Sequence, residues 1–519
     1  MSDEDVESRS STAFDDPAPA AAASWPPDRF HLTYCITFLA GMGTLLPWNV
    51  FITERAYFDL RLFVPPYAPA VADAFESVFG MTFMAANVLG LALLVRGDAL
   101  GRVPRFMRVP APLMAMGVLL AVSGALVRAR GVSGDALAGV TLLTLVCLGG
   151  LTALVQGGSF ADASCLPPKY NQALMGGQAA AGVASAAAAL ATTAASSHSH
   201  SRRGGDDDTE AGEKGIMTQA STYFYASACL MLVCALGCAF AARLPFFERG
   251  MEAAAAAKRA TDETVAAERA ERAEERLSNL DSLSTSLVES LENADANVPL
   301  LRGARGEGEE VETPGPIDAS SRGSFLASSA RGTSLCYRFA VFATFAVTLT
   351  VFPAVTSSVC AAENGATSPP CLARPAGGGS RFAGDLWTPS LFLLFNAFDL
   401  AGRAVASVAP RRAPSGQTVV LASLARVALI PPLLACNVVT SRRWAFPGWF
   451  ARSDAAPVVL VAALAFTNGH LGSASMMWGP TVRPLGRRAE EGAALSFALT
   501  AGLGFGSLAS YALVAAMQR

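Results

Sequence analysis

In the apolar run "LWTPSLFLLFNAFDLAGRAVASV", residues 386–408, an asparagine, an aspartate and an arginine stand at positions 396, 399 and 403. The four-residue step puts Asp399 and Arg403 on one helix face. Each charge at the centre of a membrane span costs roughly 2.5–3.5 kcal/mol. Such a pair can neutralise itself and only hold a bundle together; beside Asn396 it also sets out donors and acceptors as a sugar diol would require. Gln156, in "LTALVQGGSFADAS", offers an amide that can meet a nucleobase edge in two directions or act as interhelical glue. In "AGMGTLLPWNVF", residues 40–51, Gly41 and Gly43 admit a neighbouring helix, and Pro47 frees a backbone carbonyl. Trp48 then offers an indole face and one donor, which suits a flat heterocycle; its alternative is a place in the interfacial aromatic belt.

The elements that must position these groups are membrane spans. The 519 residues are 52% hydrophobic and 16% charged, where a soluble domain carries about 25% charge. A span needs about 20 apolar residues. On that template some eleven runs lie near 31–53, 73–95, 111–128, 137–161, 172–196, 219–242, 334–358, 385–408, 417–438, 457–480 and 493–517. All are expected to be helices, because backbone groups facing lipid must be satisfied within their own segment. The fold class is therefore an all-α polytopic membrane protein, six spans before a long polar loop and five after it. The domains expected are a disordered tail (1–30), a six-span bundle (31–242), a loop partly helical and partly disordered (243–333), and a five-span bundle (334–519). Arginines after the second, eighth and tenth runs place the tail and the long loop in the cytosol and the carboxyl terminus outside.

Two readings of the loop stay open. "MEAAAAAKRATDETVAAERAERAEERLSNLDSLSTSLVESLENA" is predicted helical, with Leu277, Leu280, Leu287 and Leu291 on one stripe. It is either a solvated helix or a docking helix. Cys360 and Cys371 flank "AAENGATSPP" in a loop assigned to the outside, where a disulfide is a candidate. His470 has no second histidine or cysteine at metal spacing, and "GMGTLL" lacks a dinucleotide fingerprint. Neither a metal nor a cofactor is expected. The net charge of −3, without a basic patch, gives no reason to expect nucleic acid.

The motifs also resemble those of the equilibrative nucleoside transporters. The match runs through "GMGTLLPWNVFIT", "QGGSFADASCLPPKYNQALMGGQAAAG", "FPAV", "FNAFDLAGR", "ARVALIPPLLACN" and "FTNGHLGSASMMWGP", in that order. The resemblance implies a fold related to the major facilitator superfamily, six helices and five helices rocking about a central site. It implies carriage of purine and pyrimidine nucleosides such as adenosine and uridine, in some members nucleobases, either facilitative or with protons as co-substrate. Trp48 and Gln156 would face the nucleobase, and Asp399 and Arg403 the ribose hydroxyls, with Asn396 in support. Leu45, Phe352, Phe392 and Leu503 would line the cavity. Gly177, with Gly41 and Gly43, would keep helices close, and Arg426 would join a network on the cytosolic side. Asp162 and Glu76 depart from the family pattern and are candidates for proton coupling, or else paired or interfacial. The bilayer expected is the plasma membrane, with an internal membrane as the alternative. A receptor or scaffold working through the long loop and an intramembrane enzyme are the competing classes. An enzyme would need paired acids or a nucleophile–histidine arrangement that the sequence does not show.

Overall fold

The computed structural model describes residues 25–62, 69–96, 99–129, 131–200, 208–294, 319–361, 386–408, 413–438 and 453–518. Among these, eleven helices are long and apolar enough to cross a membrane. The first six are α1 (Leu32–Thr53), α2 (Pro69–Val95), α3 (Pro110–Arg128), α4 (Gly134–Ser164), α5 (Lys169–His200) and α6 (Asp208–Ala241). Then comes α7 (Pro245–Ala294), the helix of the long loop. The remaining spans are α8 (Ala319–Val351), α9 (Trp387–Val408), α10 (Gly416–Ala425), α11 (Ala455–Trp478) and α12 (Arg488–Gln518).

Local chemistry sets the breaks. Ser133 caps α4 by accepting from the Ala136 amide, and Ser415 caps α10 by accepting from Thr418. The ninth span does not run through as one α-helix. Pro431 and Pro432 have no amide hydrogen to give the carbonyls one turn back. The chain there tightens into a 3₁₀ turn at Arg426–Leu429 and resumes as a helix over Ile430–Ala435.

The spans form two bundles. In the first, α1 packs on α5, α2 on α4 and α3 on α6; in the second, α9 packs on α11 and α8 on both α10 and α12. Lipid supplies no hydrophobic drive between helices, so close approach depends on small residues. A methyl on Gly41 would overlap the Leu174 carbonyl, and one on Gly177 the Phe38 carbonyl, so α1 and α5 cross backbone to backbone. Gly43 sits against Leu113 and Cys234. The second bundle repeats the device, with Gly402 on the Phe466 carbonyl and Gly469 on the Asp399 carbonyl. Across the seam, α5 meets α9 and α11, and α12 meets α2 and α4.

α7 starts on one bundle and reaches the other. Phe247 is buried with Ala163, Leu166 and Tyr170 of the first bundle, and the Arg105 guanidinium lies 3.7 Å over its ring. About three turns on, the Ala257 carbonyl lies where a Gly486 side chain would have to be. Lys258 Nζ is 3.4 Å from Glu490, and Arg487 pairs with Asp262 and Glu490 at 3.0 Å. From Ala266 to Val288 the side chains are exposed, Leu277, Leu280 and Leu287 among them, in keeping with a solvated helix. Leu291's side chain lies outside the described residues. At the end of the segment expected to be an unstructured tail, Trp25 packs edge-on against Phe246 and Asp28 accepts from the Thr33 and Tyr34 amides. Cys360 is disulfide-bonded, and eight other cysteines are free; Cys371 lies outside the described residues.

Candidate functional site

At mid-depth of the second bundle the charged pair is buried, Asp399 and Arg403 being 4% and 5% exposed. Arg403 Nε donates to Asp399 Oδ2 at 2.8 Å, and Asn468 Nδ2 donates to Oδ1 at 2.7 Å. Both carboxylate oxygens are thus engaged from within the bundle. The Gly402–Gly469 crossing of α9 and α11 makes this reach possible, because it brings Asn468 beside Asp399. Arg403 also looks outward: its Nη1 donates to the Met175 carbonyl of α5 at 2.6 Å, and its own carbonyl accepts from Gln172 Nε2 at 3.4 Å. Arg403 therefore ties the two bundles together.

A second polar tie crosses the seam on the first-bundle side. Gln156, 5% exposed, donates through Nε2 to Thr500 Oγ1 of α12 at 2.9 Å. One turn earlier on α4, Thr152 Oγ1 is buried with no protein partner, and so is Asn87 Oδ1 on α2. Trp48 is half-buried; its ring lies 5.2 Å from Phe83 at 31° and fills the space over Gly80. Leu45 and Leu503 are half-buried. Asn396 Nδ2 donates to the Phe392 carbonyl at 2.8 Å, and its Oδ1 occupies the space a Gly182 side chain would need on α5. Phe352 stacks on Phe395 at 3.7 Å and meets Phe392 at 5.1 Å.

Asp399 and Arg403 are thus joined directly, whereas Gln156, Asn396 and Trp48 each bond or pack with other partners. Sequence reasoning gave no role to Asn468, which lies within the "FTNGHLGSASMMWGP" motif, and missed Thr500, Thr348 and the Met175 carbonyl. Arg426 lies midway along the span Gly416–Ala435 and donates to Thr348, Thr467 and the Thr344 and Leu464 carbonyls.

The two candidates for proton coupling fare differently. Asp162 accepts from Arg105 Nε at 2.8 Å and from Arg108 Nη2 at 2.5 Å at the end of α4. Both of its oxygens are held by guanidinium groups, which is the paired, structural arrangement. Glu76 falls in α2, but its side chain lies outside the described residues.

Comparison with known proteins places this geometry in a family. The nucleoside transporter family matches residues 142–515. Equilibrative nucleoside transporter 1 of Rattus norvegicus is 26% identical over 514 residues, covering 94% of this chain and 98% of that protein. Equilibrative nucleoside transporter 2 of Homo sapiens is 26% identical over 505 residues, covering 94% and 97%. Among solved structures, the major facilitator proton:xylose symporter XylE, bound to 6-bromo-6-deoxy-D-glucose, aligns with a TM-score of 0.51 at 13% identity over 94% of this chain and 90% of that one. At that identity the likeness speaks for the fold alone: the 6+5 bundles are a major facilitator architecture. These relatives are transporters, which agrees with a carrier and not an enzyme. With the family matched across most of both bundles and near-full-length relatives, this multi-pass membrane chain belongs to the equilibrative nucleoside transporter family.

Proposed function

We propose that the chain carries purine and pyrimidine nucleosides across the plasma membrane by facilitated, alternating access. The observation that carries this is the pair of polar ties across the seam, Arg403 to the Met175 carbonyl and Gln156 to Thr500. A seam that must part and close needs groups able to exchange a protein partner for a ligand. A nucleoside supplies both kinds: hydroxyls for the guanidinium and carboxylate, and a base edge for an amide and an indole face. Asp399, Arg403 and Asn396 take the ribose, Gln156 and Trp48 take the base, and Leu45, Phe352, Phe392 and Leu503 enclose them. A free nucleobase leaves the Asp399–Arg403 pair without a partner and binds more weakly.

The amino terminus and α7 lie in the cytosol. Gly492 of α12, with no space for a side chain beside Ser164 and Phe160 of α4, adds a seam contact at the same end as α7. The state described is thus held shut toward the cytosol. A facilitative cycle is supported by Asp162 and Asp399, carboxylates inside spans that each have both oxygens engaged. Labelled adenosine and uridine uptake in a transporter-deficient cell, at pH 5.5 and 7.5 with and without a protonophore, tests the reading. Saturable uptake indifferent to both, and lost in Asp399→Ala or Arg403→Ala at normal surface expression, is expected. Uptake that collapses with the protonophore would overturn the facilitative cycle, and normal uptake by either variant would remove the pair from the mechanism.

A further inference from the structure

Arg426 is a buried cation, 3% exposed, in a span where a charge is costly. Among the described residues it has no carboxylate within ion-pairing distance. Its donors go instead to two carbonyls and two threonine hydroxyls: Nε to Thr467 at 3.0 Å, Nη2 to the Leu464 carbonyl at 2.9 Å and to Thr348 Oγ1 at 2.6 Å, and Nη1 to the Thr344 carbonyl. Thr348, 1% exposed, passes the bond on to Asn468 Oδ1 at 2.8 Å, and Asn468 Nδ2 donates to Asp399 at 2.7 Å.

The direction of this chain is fixed at both ends. A guanidinium only donates and a carboxylate only accepts. The Thr348 oxygen therefore accepts from Arg426, its hydrogen points to the Asn468 carbonyl oxygen, and the Asn468 amino group is forced toward Asp399. We propose that Arg426 is a positioning residue for the transport site, acting through Thr348 and Asn468 to hold the Asp399 carboxylate in place while Arg403 changes partners. The logic is mechanical. Arg403 binds Asp399 Oδ2 and the Met175 carbonyl of the opposite bundle, so it must release the carbonyl when the seam parts. If Asp399 were held by Arg403 alone, it would turn with it; anchored on Oδ1 from α8, α11 and the 3₁₀ turn that follows α10, it stays. The relay thus sets the affinity of the site more than the rate of bundle movement. This inference rests on the nucleoside site proposed above.

The test separates the hydroxyl from its volume. Thr348→Ser keeps the relay, whereas Thr348→Val keeps the shape and removes the hydrogen bond. For uridine uptake per surface-expressed carrier, the serine variant is expected to keep the wild-type KM within about twofold. The valine variant is expected to raise KM about tenfold or more with Vmax little changed. Asn468→Asp supplies a second arm that does not depend on the valine variant folding. Its new carboxyl, when ionised, faces Asp399 and cannot donate, so uptake is lost at pH 7.5 and regained at pH 5.5 as that carboxyl takes up a proton. A wild-type KM in Thr348→Val, equal impairment of the serine and valine variants, or a flat pH profile in Asn468→Asp would overturn the relay. If the wild-type chain itself takes up no nucleoside, the functional reading fails instead.

Discussion

A carboxyl at the end of the first span gives the residue scale its pH test. Glu54 follows directly on α1 and is 4% exposed. Burial pushes its carboxyl up to about 7. Its pKa is thus higher in the folded chain than in the unfolded one, near 4.3. The folded state holds the proton more tightly. The stability tied to it is complete below the unfolded pKa and is lost as pH rises through about 7. Purified protein should therefore melt several degrees higher at pH 5.5 than at pH 8, and Glu54→Gln should remove most of that difference. An unchanged slope in the variant would assign the pH dependence to other groups. How far the site could be read in the sequence is also a residue-scale matter. Asp399 and Arg403 stand out in an apolar run because a charge there is costly. Thr348 and Thr500 do not, since a threonine in a span can back-bond to its own helix. Thr500 does so to the Ser496 carbonyl at 3.1 Å, and Thr348 has the Thr344 carbonyl within the same reach at 3.0 Å. The bonds that matter, from Thr348 to Asn468 in place of that back-bond and from Gln156 to Thr500, exist only once other helices are in place.

For the elements, the decisive contacts are the glycine crossings. Gly177 faces the Phe38 carbonyl with no space for a methyl, whereas Gly150, on α4, has nothing within 4 Å of where one would sit. Gly177→Val should therefore cost at least about 3 kcal/mol through overpacking and backbone displacement. Gly150→Ala should be neutral or gain up to about 1 kcal/mol from helix propensity. Thermal unfolding of the two purified variants measures this, and equal melting temperatures would contradict it. The spans were legible because hydrocarbon thickness dictates their length. The Pro431–Pro432 pair also marks the interruption of the ninth span in plain sight. What the sequence hid was which glycine meets which carbonyl, because small-residue faces look alike until two helices are paired. The docking of α7 was hidden for the same reason: it depends on Gly486 meeting the Ala257 carbonyl and on Arg487 reaching Asp262.

At the scale of the whole molecule, two bundles are joined by a seam and strapped at one end by the first turns of α7. The strap's ion pairs are partly exposed, with Arg487 and Asp262 at 28% and 51%. Each such pair is worth about 0–1 kcal/mol and is weakened by salt. It can release during a transport cycle. From Ala266 to Val288 the helix is exposed, so deleting residues 266–318 should leave uptake within about twofold of wild type, as counted per surface molecule. A receptor or scaffold working through the long loop demands the opposite, loss of function on that deletion with little effect from Gln156→Ala. The central claim is that side chains from both bundles close on one nucleoside. Equilibrium binding of labelled adenosine to the purified carrier tests it most directly, comparing Gln156→Ala from the first bundle with Asp399→Asn from the second. Phe398→Ala, 40% exposed beside Asp399 on α9, serves as the control. The account predicts at least a tenfold loss of affinity in each of the first two and less than twofold in the control; wild-type affinity in both Gln156→Ala and Asp399→Asn would contradict it.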